Sequence, residues 1–175
     1  AVVVGLSVCA ATIARAVNDG ATPLYIACQK GRGGRGRVLL EIGASNDQAL
    51  NDGATPLNVA CENGNEAMVR GLLDRGASID QAMNGGTAPL QIACAKGHET
   101  VVHVLLDRGA SIDQADNNGA TPLHIACQKG HEAVVRVLLD SATSIGQTMN
   151  DGATPLFIAC QQGHEALGRV LLDRV

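Results

Sequence analysis

The chain has 175 residues, of which 46% are hydrophobic, and its formal net charge is −4. This length fits one ordinary domain, and the apolar fraction is sufficient for a continuous core rather than a disordered chain. A single Tyr, a single Phe and no Trp leave no platforms for stacking bases, and the charge provides no positive field for phosphates, so we expect no nucleic-acid partner.

The first 17 residues are apolar, but they contain Arg15 and lack the basic leading region of a secretory signal peptide. They are too short to span a bilayer, and no other segment is a membrane candidate. Shifted forward by 66 residues, they align with residues 67–83, with Gly5 over Gly71. We therefore interpret 1–17 as a leading half-repeat and expect a piece of a longer protein that does not insert directly into a membrane.

A period of 33 residues runs through the rest of the chain without insertion or deletion. It is kept by all five prolines, by five asparagines and by five of the six cysteines: Pro23, Pro56, Pro89, Pro122 and Pro155; Asn18, Asn51, Asn84, Asn117 and Asn150; Cys28, Cys61, Cys94, Cys127 and Cys160. Such a period indicates stacked copies of one supersecondary unit. We predict one array over 1–175, in which full repeats at 18–50, 51–83, 84–116 and 117–149 follow the half-repeat and precede a truncated repeat at 150–175.

Within one unit, the predicted elements are a turn, two helices and an extended arm. Residues 117–120 (Asn-Asn-Gly-Ala) are typical of a tight turn, because Asn and Gly tolerate a positive φ. Thr121 and Pro122 suit the N-cap and the first position of a short helix. A second helix is predicted for 131–140, and an arm such as 110–115 alternates like a short strand and leads into the next turn.

Three departures from the repeat predict local weakness. Gly33, Gly34 and Gly36 lie where a second helix is expected, and we interpret them as a degenerate helix because no strand leads into them as in a phosphate-binding loop. Ala88 occupies the N-cap position of its unit and offers no hydroxyl. Ala142 replaces a glycine at a helix exit, where strain is expected.

The run Thr121-Pro122-Leu123-His124-Ile125-Ala126 closely resembles the signature of the ankyrin repeat. The resemblance covers the whole chain, and four units carry Thr-Pro-Leu while the third has Ala88-Pro89-Leu90. It implies an all-α helical repeat solenoid with short projecting β-hairpin turns. It further implies that the chain binds other proteins through hairpin tips and the inner, first helices.

The cysteines in register are interpreted as core residues. Equivalent residues of stacked helices lie about 8–10 Å apart, beyond the roughly 7 Å that a disulfide allows between Cα atoms, and each follows Ala on a first helix. We expect all six cysteines to be reduced and the five in register to be buried. Such thiols favour a reducing, intracellular compartment, namely the cytoplasm.

The histidines offer no metal site, because cysteines and histidines never fall at the spacing of zinc ligands. His98, His131 and His164 each follow a glycine before a second helix, and we expect their rings to serve local hydrogen bonds. The chain has no Ser/His/Asp set, nucleophile elbow or paired catalytic carboxylates. We therefore expect no catalytic residue, no metal and no cofactor.

The expected function is that of a non-catalytic scaffold or adaptor for a protein partner. Two alternatives stay open: a regulatory or targeting segment of a larger enzyme or channel, and a structural subunit of a large complex. The nearly uniform turns, such as Asn51-Asp52-Gly53-Ala54 and Asn150-Asp151-Gly152-Ala153, favour a spacer or a recently duplicated array over a finely tuned binding surface.

Candidate partner-binding residues come from positions that vary while the scaffold repeats. The residue after each Pro-Leu is Tyr25, Asn58, Gln91, His124 or Phe157. The ends of the first helices provide Gln29, Lys30, Glu62, Asn63, Lys96, Gln128, Lys129, Gln161 and Gln162, the turns provide Asp19, Asp52, Asn118 and Asp151, and the positions before them provide Val17, Leu50, Met83 and Met149. These last apolar residues either cover one another between the hairpins or form an exposed ridge. In the second case Leu50, Met83, Tyr25 and Phe157 would anchor the partner.

Overall fold

A computed structural model describes residues 20–174 and contains ten α-helices in this segment. They are α1 (Pro23–Gln29), α2 (Gly33–Glu41), α3 (Pro56–Glu62), α4 (Glu66–Asp74), α5 (Pro89–Lys96), α6 (Glu99–Asp107), α7 (Pro122–Lys129), α8 (Glu132–Asp140), α9 (Pro155–Gln161) and α10 (Glu165–Leu172). Consecutive helices form five antiparallel pairs, each with a short first helix and a second helix. The predicted half-repeat at 1–17 lies outside the described residues.

The helices form two layers, because first helices pack on first helices of the neighbouring pairs and second helices on second helices. The first helices contact one another more extensively than the second helices do. The array is therefore curved, with the first helices on its inner side. Each helix of the described segment falls short of the length and hydropathy that crossing a membrane would require.

The first helices begin where the sequence predicts. Thr55 has an extended backbone, its hydroxyl accepts a hydrogen bond from the N–H of Asn58, and Pro56 occupies the first helical position. Proline fits there because its missing N–H would have no intrahelical partner. In the third pair Ala88 offers no hydroxyl to the N–H of Gln91, but the side chain of Gln91 still accepts from the N–H of Ala88 at 2.8 Å, as Asn58 does from Thr55. This bond satisfies one free donor, and α5 still begins at its proline.

The core is formed by the same positions in each pair. Of the five leucines that follow the prolines, Leu156 is partly buried and the other four are at most 1% exposed: Leu24, Leu57, Leu90 and Leu123. Alanines such as Ala93 and Ala126 are fully buried in the same layer, where their small side chains permit close packing of the first helices. Second helices add buried aliphatic residues such as Val102 and Leu138. Each pair therefore buries its apolar surface against its neighbours.

The degenerate second helix is confirmed, since α2 spans Gly33–Glu41 and contains all three glycines. Gly36 is buried, and a Cβ added there would lie 2.7 Å from the Sδ of Met68 on α4. Met68 is only 1% exposed. The longer methionine thus fills the space that the missing side chain leaves in the outer layer.

The turns that precede the helix pairs, here called tip turns, do not contain the predicted β-hairpins, since the described residues include no strand. The tip turn before α5 is closed by two backbone hydrogen bonds, from Met83 N–H to the Thr87 carbonyl at 3.0 Å and from Gly86 N–H to the Met83 carbonyl at 2.8 Å. Neighbouring tip turns are tied together by asparagines. Asn84 Nδ2 donates to the Asn51 carbonyl at 3.0 Å, and Asn117 and Asn150 each donate to the asparagine carbonyl 33 residues earlier.

Ala142 is the one non-glycine residue of the described segment with a positive φ, 63°. An L-residue in this conformation costs about 1–2 kcal/mol, whereas glycine adds about 0.4–1 kcal/mol of entropy to the unfolded chain. We expect Ala142→Gly to raise the free energy of unfolding by about 0.5–1 kcal/mol in urea titrations. The control Ala133→Gly, on the exposed face of α8, should lower it instead. A loss of stability in both variants would contradict the strain at Ala142.

The cysteine prediction needs one correction. Cys28, Cys61, Cys94 and Cys127 are buried and free, but Cys160 is exposed because no further helix pair of the described chain packs on α9. Burial raises the pKa of the Cys28 and Cys127 thiols to about 12. Cys9 lies outside the described residues.

We therefore expect iodoacetamide to modify Cys160 rapidly in the native protein and the four buried cysteines slowly, because the thiolate is the reactive form. Mass spectrometry of tryptic peptides over a time course measures each rate. A Cys160→Ser variant should lose the fast phase. Equal rates at Cys94 and Cys160 would contradict the assigned burial.

Candidate functional site

A groove of about 320 Å³ lies between α5 and α7 on the inner side of the array, and we call it the inner groove. All its lining residues come from first helices, from their C-terminal ends or from the tip turns and the residues before them. They are Glu62, Met83, Thr87, Gln91, Ile92, Ala95, Lys96, Asp116, Ile125, Gln128 and Lys129. Six of these are sequence-predicted site residues: Glu62, Met83, Gln91, Lys96, Gln128 and Lys129.

The floor of the inner groove is apolar. Ile92 and Ile125 are partly exposed, whereas of their equivalents Val59 and Ile158 are buried at 5% and 7% exposure and Ile26 is 38% exposed. Met83, which precedes the third tip turn, packs against the core and adds its side chain to the same surface. Partly exposed apolar groups in a concave surface are typical of a site that a partner covers.

Charged side chains form the rim of the groove. Lys96 Nζ lies 3.0 Å from Glu62 Oε1, so these two exposed groups neutralise each other. Asp116 Oδ1 accepts from the N–H groups of Asn118 and Ala120 at 2.8 and 2.9 Å. Lys129 is exposed and makes no ion pair with any residue that the structure describes. The rim therefore presents one unpaired positive charge beside an apolar floor.

The varied position after Pro-Leu requires a correction. Asn58, Gln91 and His124 are only 1–2% exposed and Tyr25 is 8% exposed, so burial within the array removes them from the surface offered to a partner. Gln91 still contributes to the groove wall. Phe157, by contrast, is 57% exposed at the end of the described array. The sequence variation at this position thus reflects contacts between helix pairs.

The physical reason is that this side chain connects two parts of the scaffold. His124 Nδ1 accepts from the N–H of Thr121, which assigns the ring proton to Nε2, and Nε2 donates to the Ala153 carbonyl at 3.2 Å. Gln91 Nε2 donates to the Ala120 carbonyl at 2.6 Å in the same way. Burial lowers the pKa of His124. The neutral ring is therefore favoured in the folded protein.

Asn58 is too short to make both connections. Its Oδ1 accepts from the Thr55 N–H at 2.8 Å, but its buried Nδ2 has no hydrogen-bond partner. The glutamine and histidine at the equivalent positions reach the next tip turn with the second group. Side-chain length at this position therefore determines how firmly adjacent pairs are linked.

The histidines before the second helices also connect pairs. His98 Nε2 is 3.0 Å from the Glu62 carbonyl and His131 Nε2 is 3.1 Å from the Ala95 carbonyl, 36 residues earlier in each case. The histidine rings therefore bond to the first helix of the previous pair, and not locally within their own pair as expected. Within the described residues, no group of three or more His, Cys, Asp and Glu side chains is arranged to hold a metal ion.

All nine predicted residues at the helix ends are exposed and polar, as a binding rim requires: Gln29, Lys30, Glu62, Asn63, Lys96, Gln128, Lys129, Gln161 and Gln162. Asn63 also donates from Nδ2 to the Cys28 carbonyl at 3.1 Å.

In the tip turns Asp52, Asn118 and Asp151 are exposed. Asp52 and Asp151 each accept from the N–H two residues later, which stabilises the turn.

The apolar residues before the tip turns are half-buried: Leu50, Met83 and Met149. Leu50 and Met83 pack against the core, which favours the interpretation that they cover the structure between the turns. Val17 and Asp19 lie outside the described residues. The predicted residues that the structure brings together are therefore those around the inner groove.

Five of the groove residues were not predicted from the sequence as partner contacts: Thr87, Ile92, Ala95, Asp116 and Ile125. One available signal was Ala95, a short side chain at a position that carries Gln or Glu in the other four units. Ile92 and Ile125 could not be recognised from the sequence, because the equivalent positions also carry Ile or Val and differ from them only in exposure.

A family model of ankyrin repeats that is three copies long matches residues 4–83, 36–116 and 90–175 of the chain. No curated protein matches the chain.

Proposed function

Because the chain belongs to the ankyrin repeat family, whose repeats are generally protein–protein interaction modules, we propose that it is a non-catalytic scaffold that binds a protein partner on its inner side. The observation that carries this proposal is the inner groove, whose apolar floor and polar rim come from α5, α7, the end of α3 and the tip-turn regions. This combination is the anatomy of a protein interface.

The proposed contact surface is centred on the groove and extends along the inner side. At its centre are Glu62, Met83, Thr87, Ile92, Ala95, Lys96, Asp116, Ile125, Gln128 and Lys129. Outlying contacts are proposed for Gln29, Lys30, Leu50, Asp52, Asn63, Asn118, Met149, Asp151, Phe157, Gln161 and Gln162. The partly exposed isoleucines supply apolar area, and the surrounding polar groups exclude water from it.

We further propose an array of five 33-residue units preceded by a half-repeat, working in a reducing, intracellular compartment. The four buried free thiols support this compartment, because disulfides persist mainly in oxidising ones. No residue is proposed as catalytic, and no cofactor is proposed.

The experiment compares two charge-reversed variants as bait for partner capture from the native source. Lys96→Glu combined with Lys129→Glu changes the rim of the groove, whereas Arg70→Glu combined with Arg136→Glu changes the outer layer by the same charge. The two arginines lie on second helices, where they pair with Glu66 and Glu132. We expect the first variant to lose the proteins captured by the native chain and the second to retain them, because only the first alters the inner side.

Helical circular dichroism should remain unchanged in both variants, since all four positions are exposed. Loss of capture in the outer variant, with retention in the groove variant, would place the partner on the other layer and refute the proposal.

A further inference from the structure

Ala95 differs from every equivalent residue at the end of a first helix. The other four units carry Gln29, Glu62, Gln128 and Gln161 there, all of which have long polar side chains. The short side chain of Ala95 forms part of the groove wall, and the inner groove lies next to it. A long side chain at this point would extend from the end of α5 over the space that the groove occupies.

Lys129 has no counter-ion among residues 20–174. Lys96 pairs with Glu62, which lies 34 residues earlier in the sequence, at 3.0 Å. The residue 34 positions before Lys129 is Ala95. Lys129 therefore stands where Lys96 stands in the preceding unit, but the carboxylate that would pair with it is missing.

We propose that the inner groove binds a partner segment in which one large apolar side chain lies a few residues from one carboxylate. The apolar side chain covers Ile92, Ile125 and Met83, and the carboxylate pairs with Lys129 as Glu62 pairs with Lys96. This rests on the proposed function and specifies the chemistry of the segment. A volume of about 320 Å³ is at the small end of ligand sites, which suits one large side chain.

Charge on the rim orients this segment and limits its composition. Glu62 is already paired with Lys96, and Asp116 also lines the groove, with its Oδ1 bound to two backbone N–H groups. A second carboxylate on the segment would approach one of these two acidic groups and be repelled. The groove thus favours a segment with a single acidic residue over a strongly acidic one.

The experiment uses the full chain, labelled with ¹⁵N, and synthetic peptides in a Gly/Ser background. Each peptide carries one Leu and, one to four residues away, one Glu, and its matched peptides carry Gln or Lys in place of Glu, or Ser in place of Leu. Amide shifts in the protein spectrum report the site and the affinity. We expect at least one spacing to give saturable shifts at Ala95, Ile125 and Lys129.

The matched peptides should bind more weakly. Replacing Glu by Gln should weaken binding about two- to fivefold, as for an exposed ion pair. Replacing Glu by Lys should weaken it further because of repulsion by Lys129, and replacing Leu by Ser should remove the saturable shifts.

Two protein variants separate groove binding from a general charge effect. Ala95→Glu places a carboxylate beside Lys129 and a longer side chain over the groove, so peptide affinity should fall about tenfold. Ala133→Glu makes the same substitution on the exposed face of α8, outside the proposed contact surface, and affinity should stay unchanged. Lys129→Gln should abolish the difference between the Glu and Gln peptides while leaving the dependence on Leu.

Several outcomes would overturn the inference. The first is that no peptide spacing gives amide shifts at peptide concentrations up to about 1 mM. The second is that the Glu and Gln peptides bind with equal affinity, and the third is that Ala95→Glu leaves the peptide affinity unchanged. Shifts elsewhere on the inner side would remove this inference and leave the proposed function intact, whereas shifts confined to the second helices would count against both. Concentration-dependent dimerisation that protects the groove residues would identify a second copy of the chain as the occupant and also overturn the inference.

Discussion

Replacing Gly86 by alanine is expected to lower the free energy of unfolding by about 3 kcal/mol. Gly86 has φ +82°, and a Cβ added there would lie 2.7 Å from the backbone nitrogen of Asn117 and 2.6 Å from its Oδ1. The nearest obstacle includes backbone of the next tip turn, which cannot rotate away like the end of a side chain. Urea denaturation followed by circular dichroism measures the loss.

Gly109→Ala is the matched control for this prediction. Gly109 has nearly the same φ, +85°, but a Cβ there meets nothing within 4 Å. Its substitution therefore carries only the conformational cost, about 0.5–1 kcal/mol net of the entropy lost from the unfolded chain. The difference between the two variants measures the close approach of neighbouring tip turns. Equal losses would show that the turns separate easily.

Leu90→Ala should also cost about 3 kcal/mol, because Leu90 is 1% exposed and its removal leaves a cavity beside α5. Since α5 packs on both α3 and α7, the unfolding transition should broaden as the two halves of the array become less coupled. Urea titration gives both the midpoint and the steepness of the transition.

Leu172→Ala provides the comparison for this core substitution, since Leu172 is 60% exposed at the end of α10. Its effect should remain within about 0.5 kcal/mol. A loss below about 1.5 kcal/mol at Leu90 would mean that the core around it collapses to fill the space.

The helical framework was predictable because its signals are local and repeated. Thr55 and Pro56 define a helix start from their own chemistry, and the 33-residue spacing of the cysteines and prolines places each pair. The predicted β-hairpins are not shown among residues 20–174, because the tip turn before α5 has only two backbone bonds, Met83 N–H to the Thr87 carbonyl and Gly86 N–H to the Met83 carbonyl, and no strand extends from it. The turns themselves were predicted correctly, but whether strands extend from them depends on contacts between units.

The candidate site was predicted less well, because the exposure of a side chain depends on contacts with residues of other units. Gln91 and His124 vary as surface residues do, yet each reaches a carbonyl 29 residues away and is buried by that contact. Comparison of equivalent positions was informative only for Ala95, whose short side chain departs from a column of long ones. Ile92 and Ile125 are partly exposed because of the distance between two first helices, and this distance cannot be read from the sequence.

The asparagines that link the tip turns determine which changes in repeat number the array can accommodate. Asn84, Asn117 and Asn150 each bond to the carbonyl of the asparagine one full period earlier. An in-frame duplication of one period therefore reproduces both the donor and the acceptor at each new boundary, and every junction is the same as the old ones. An insertion of any other length within a unit displaces the donor from its carbonyl. Recombination can thus lengthen or shorten this array in whole periods without any compensating substitution.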